Sequence, residues 1–74
     1  MAFDKKVFAE NLRVIRAKLD VSQEKFARLV GLSTDSIVRY ESGNGCTPSI
    51  DTIFAICDAV NINPNELMGW EKVA

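Results

Sequence analysis

The sequence predicts an all-α domain of five short helices. Three observations carry that prediction. Apolar residues recur at helical rather than alternating spacing. Each apolar run follows a residue able to cap a helix. Residues 23–40 place their small and apolar residues where two steeply crossing helices need them. No strand pattern, internal repeat or low-complexity tract competes with this reading.

Taken in order, Asp4 can cap a first helix over about 4–19, with Phe8, Leu12, Ile15 and Leu19 on one face. Asp20 and Val21 break it, and Ser22 caps a second helix over about 22–30. Ser33 caps a third over about 33–42, which Gly43, Asn44 and Gly45 end with residues tolerant of left-handed geometry. After Pro48, Ser49 caps a fourth helix over about 49–60, its apolar set Ile50, Ile53, Phe54, Ile56, Cys57 and Val60. Asp51 in its first turn suits the helix dipole. Asn63, Pro64 and Glu66 are a cap, a first helical residue and a capping-box acid for a short fifth helix over about 63–70.

The second and third helices carry the most information. Ala27 is small where two backbones must approach, and Gly31 accepts the positive φ of a tight turn. Phe26, Leu29, Val30, Leu32, Ile37 and Tyr40 are available to anchor the pair while its other face stays exposed. The same spacing also fits an ordinary αα-corner.

At 74 residues there is room for one domain, 1–74, with one small core. No apolar run approaches the roughly 20 residues of a membrane span, and the charged N-terminus does not resemble a secretory signal. These features predict a cytoplasmic protein. Cys57 falls on an apolar helix face and reads as a buried thiol, whereas Cys46 lies in a polar loop. The chain has no histidine, so neither a metal site nor a general base of that kind is available, and no phosphate-cradling glycine loop is present. The expectation is therefore not an enzyme, with no cofactor and no small-molecule ligand. The net charge is −1, but it is unevenly spread. Residues 1–39 hold eight of the nine basic residues against five acids, a net of +3, and residues 40–74 carry −4. The N-terminal part can face phosphate while the acidic part faces away; ordinary solvated helix surface would read the same way.

The segments SQEKFA, VGLS, I-x-R-Y-E-x-G, PS-x-x-T and NPNELM occur in order between Phe8 and Trp70. In that order and spacing the chain resembles the Cro/CI-type, XRE-like helix-turn-helix regulators of phages and bacteria. The resemblance implies a compact lambda-repressor-like DNA-binding domain, whose third helix enters the major groove by its N-terminal end. It assigns base reading to Thr34, Asp35, Val38 and Arg39. Arg39 can fork onto guanine O6 and N7, and Thr34 can bond a base or pack on a thymine methyl. Asp35 can accept from cytosine N4 or, four residues from Arg39, form a surface ion pair or orient that arginine. Val38 fits a thymine methyl or, alternatively, peripheral packing.

Phosphate contacts fall by the same resemblance to Gln23, Ser33, Ser36, Ser42, Gly43 and Asn44, with Ser33 alternatively occupied as a cap. Arg16 and Glu41 correspond to a structural ion pair between the first and third helices. Leu67, Met68 and Trp70 are dimer candidates, or alternatively close the domain's own core. Where many relatives carry Lys or Arg after the third helix, this chain has Asn44, Gly45 and Cys46 in a loop about one residue longer. That lack of charge argues against strong non-specific affinity and points to reliance on dimerisation.

The implied function is a sequence-specific regulator of transcription, a repressor by family habit, acting on double-stranded DNA as a homodimer at a pseudo-palindromic operator. The acidic balance and uncharged loop suit an alternative, a protein-interaction module of antirepressor or antitoxin-like kind. Both a small complete regulator and the DNA-binding part of a longer repressor fit the sequence.

Overall fold

The computed structural model describes residues 3–45 and 47–70. Among them are five α-helices and no strands: α1 (Lys5–Leu19), α2 (Gln23–Val30), α3 (Thr34–Glu41), α4 (Ile50–Val60) and α5 (Pro64–Met68). Cys46 lies outside the described residues.

Each helix starts where its cap residue supplies an acceptor to otherwise unpaired N–H groups. Asp4 Oδ1 accepts from Lys6 N at 2.9 Å and Val7 N at 3.3 Å. Ser22, Ser33 and Ser49 Oγ accept from Lys25, Ser36 and Thr52 N at 3.1, 3.1 and 3.2 Å, and Asn63 Oδ1 from Glu66 N at 2.9 Å. The expected ranges counted these caps as helix, hence the one-residue offsets. The fifth helix stops at Met68, short of residue 70, because the chain turns left-handed at Gly69 and Trp70 N bonds Asn65 O at 2.9 Å. The same closure ends α2. At Gly31 φ is +76°, and Leu32 N reaches Ala27 O at 2.9 Å, which turns the chain sharply into α3.

Phe8, Leu12, Phe26, Ile37, Ile56 and Leu67 form the fully buried centre. Helix α1 packs on α3 and α5, and α2 packs on α3 and α4. Tyr40 is half-buried, its ring edge-on to Phe8 at 5.8 Å. Four expected core residues are instead exposed: Leu19, Leu29, Ile50 and Phe54. Leu19 ends α1 beyond the core's edge. In α2 the inward stripe is Phe26, Ala27 and Val30, which leaves Leu29 on the flank. In α4 the stripe is Ile53, Ile56 and Cys57, which turns Phe54 outward, and Ile50 projects from the first turn.

No described helix is long and apolar enough to cross a membrane, and no group of three metal-ligating side chains occurs among the described residues. Burial raises the Cys57 thiol pKa above its ordinary value, with the charges of Asp58 and Glu66 adding to the effect.

Candidate nucleic-acid interface

Helix α3 divides its residues cleanly between two faces. Ile37 is fully buried and Glu41 nearly so, while Thr34, Asp35, Val38 and Arg39 are all exposed. Those four stand at i, i+1, i+4 and i+5, which is one continuous strip of helix surface. Among the described residues Asp35 and Arg39 form no ion pair, so both side chains are open to a ligand. An eight-residue helix is about 12 Å long, comparable with the width of the major groove.

What holds this strip in place is a polar clamp at the C-terminal end of α3. Glu41 is a carboxylate with 4% side-chain exposure. Arg16 on α1 meets it with both arms of the fork, Nε to Oε2 at 2.8 Å and Nη2 to Oε1 at 3.0 Å. Arg16 Nη1 also donates to Val21 O at 3.1 Å, which ties down the α1–α2 turn. Gln23 Nε2, at the start of α2, donates to Glu41 Oε1 at 3.1 Å. The hydrogen bonds that Arg16 donates to Glu41, and the charge of that carboxylate, raise the Arg16 pKa above the ordinary arginine value, against an opposing desolvation. Arg13, one turn before Arg16, donates Nη1 to the backbone carbonyl of Glu41. One residue at the end of α3 thus receives bonds from Arg13, Arg16 and Gln23.

The other expected contact residues surround the strip. Ser33 Oγ accepts the Ser36 amide and donates to Ser36 Oγ at 2.9 Å, leaving the Ser36 hydroxyl hydrogen available outward. Ser42 Oγ donates to Arg39 O at 2.7 Å and accepts from Asn44 N at 3.2 Å, so its hydrogen is already used. Gln23 uses one N–H on Glu41 and keeps the other. Gly45 passes so close to Arg39 that a Cβ there would collide with the Arg39 carbonyl.

The fifth-helix candidates separate. Leu67 is fully buried in the chain's own core, whereas Met68, nearly buried, reaches the floor of a surface depression. The side chain of Asn11 holds the end of α5, Nδ2 donating to Leu67 O at 2.9 Å. Trp70 is 40% exposed and borders a shallow apolar depression with Ile50 (69% exposed), Phe54 (52%), Pro48 and Pro64. Ile50 and Phe54 were hidden in the sequence inside an apolar run whose inward stripe was ambiguous. Arg13 and Asn11 gave no local signal, since their partners lie 28 and 56 residues away.

A family profile for the Cro/C1-type HTH DNA-binding domain matches residues 11–72. The chain belongs to that family. This Cro/C1-type domain is similar to the restriction-modification controller protein C.AhdI from Aeromonas hydrophila, with 33% identity and a TM-score of 0.78 over 86% of this chain and 96% of that one. It is also similar to the P22 c2 repressor, solved in complex with a synthetic operator, with 25% identity and a TM-score of 0.77 at the same coverages. Antitoxin PezA of Streptococcus pneumoniae is 33% identical over 67 residues, 90% of this chain, which spans 42% of that antitoxin's length. Fold and family are those of DNA-binding regulators rather than enzymes.

Proposed function

We propose that this Cro/C1-type domain binds double-stranded DNA sequence-specifically, as a cytoplasmic homodimer at a pseudo-palindromic operator, and represses transcription there. The observation that carries the proposal is the exposed strip of Thr34, Asp35, Val38 and Arg39 on a helix fixed from behind by the core and by Glu41. A side chain that reads bases must be free at its tip and its helix must not move. Arg39 meets the first condition, and the Glu41 clamp supplies the second. In this reading Arg39 forks onto a guanine, Thr34 and Val38 contact neighbouring bases, and Asp35 accepts from a cytosine amine. Gln23, Ser36 and the Gly43 amide meet phosphates and set register.

One domain makes too few contacts to stand out against a genome, so the reading includes a twofold dimer with its recognition helices about 34–36 Å apart. Ile50, Phe54 and Trp70 support this, because three large apolar side chains exposed on one patch gain from covering by a second copy. The similarity to the P22 c2 repressor, solved on a synthetic operator, supports binding at an operator, and that to the controller protein C.AhdI supports a regulatory role.

The similarity to antitoxin PezA favours a second reading, a module whose main partner is a protein. Selection from a random duplex library at two salt concentrations, with an Arg39→Ala control, separates them. The expected result is a pseudo-palindrome with half-sites one helical turn apart, lost in the control. Recovery of no preferred sequence would overturn the regulator reading and favour the second.

A further inference from the structure

The turn after α3 carries no charged residue from Ser42 through Gly45. It also follows the partially negative end of a helix, which by itself repels phosphate. An eight-residue helix is about as long as the major groove is wide, so a helix reading bases with its first turns brings this turn to the groove's rim, among the phosphates. The chain therefore needs positive charge here from somewhere else.

Helix α1 provides it. Lys6 and Arg13 are seven residues apart, two turns on one face, and both line a notch with Ser42, Gly43 and Asn44. The notch is open to solvent and offers about 280 Å³, ample for a phosphate group. Lys6 runs directly beneath the turn, its Cγ 3.8 Å from where a Cβ on Gly43 would stand. Arg13 has one Nη committed to the Glu41 carbonyl, which offsets the negative helix end and leaves its other nitrogens unbonded. The Gly43 N–H makes no hydrogen bond within the described chain. Glu10 shares the wall but pairs with neither cation.

We propose that Lys6, Arg13 and the Gly43 amide form a binding site for one backbone phosphate of DNA, in which α1 replaces the charge that the loop lacks. This rests on the DNA-binding reading and names cations that the recognition helix and its loop do not contain. Lys6 is the diagnostic residue, because it is exposed and holds no structural partner, whereas Arg13 also closes α3.

The test measures binding to the selected duplex and to a scrambled one across a salt series. It uses wild type, Lys6→Gln, Lys6→Arg, Arg39→Ala and, as a charge-matched control on the same helix, Lys18→Gln. Urea unfolding verifies that each variant folds. Lys6→Gln is expected to weaken both duplexes by the same factor and reduce the slope of log K against log salt by about 0.9, one phosphate contact. Lys6→Arg restores the slope, and Lys18→Gln leaves it unchanged. Equal slopes for wild type and Lys6→Gln, or the same change in Lys18→Gln, would overturn the site while leaving the regulator reading intact. If the salt slope responds to Lys6 but Arg39→Ala changes no sequence preference, the site stands and the sequence-specific reading falls. A wild type that binds neither duplex overturns both.

Discussion

Arg16 and Glu41 form one ion pair, yet removing either partner is expected to have unequal consequences. Glu41 is the buried partner at 4% exposure, and Arg16 keeps 26% of its side chain in contact with water. Arg16→Gln strands a carboxylate that retains only the Gln23 hydrogen bond. Breaking a buried pair in that way costs about 3–5 kcal/mol. Glu41→Gln strands a guanidinium that still donates to Val21 O and can turn toward water, so its loss is close to that of a charged hydrogen bond, about 2 kcal/mol. A domain of this size has about 4–11 kcal/mol of total stability, so both effects fall within the measurable range. Urea unfolding followed by circular dichroism gives the two values. Replacing both at once, Arg16→Met with Glu41→Leu, leaves no stranded charge and should recover part of the Arg16→Gln loss. If Glu41→Gln proves as costly as Arg16→Gln, differential burial is not what sets the strength of this clamp.

Further outcomes follow from the geometry. Gly31→Ala should cost about 1–2 kcal/mol, the penalty of a left-handed residue with nothing for its Cβ to meet. Gly45→Ala should cost more than Gly31→Ala in the same urea titration and also displace Arg39, because its Cβ collides with backbone. Phe54→Glu should shift the sedimenting species from dimer to monomer with an unchanged helical spectrum; an unaltered mass would remove this patch from the dimer interface. In a Cys46→Ser background, the Cys57 thiol should react slowly with an aromatic disulfide until the chain is unfolded. Because the raised pKa lets the unfolded chain lose its thiol proton first, stability should hold below about pH 9.0 and decline above it, a decline that Cys57→Ala flattens.

The helices were legible because their signals are local. Asp4, Ser22, Ser33, Ser49 and Asn63 each bond an amide two or three residues away, and such spacing is visible in a string of letters. The rotation of each helix was less so. In α4, Ile53, Phe54 and Ile56 are all apolar, and only the packing of α2 and α5 against it decides that Phe54 turns outward. Helix α5 is five residues long, too short for its period to separate Leu67, which faces in, from Trp70, which does not. The strip on α3 was legible only through the resemblance to Cro/CI-type regulators, which pointed to those four positions, and all four are exposed. The bonds that Arg13 and Gln23 send to Glu41 were not legible, since they join residues distant in sequence through a fold that must exist first.

The division of labour along α3 bears on how such a protein can change over generations. The side chains of Thr34, Asp35, Val38 and Arg39 are exposed and hold no hydrogen bond or ion pair among the described residues, and Ile37 and Glu41 face inward. Substitutions at the first four positions therefore carry little folding penalty, and a library randomised there should consist mostly of well-folded members. On the proposed reading of those four positions, a duplicated copy of the gene could drift toward a new target through them alone. The scaffold need not be redesigned each time the message is rewritten.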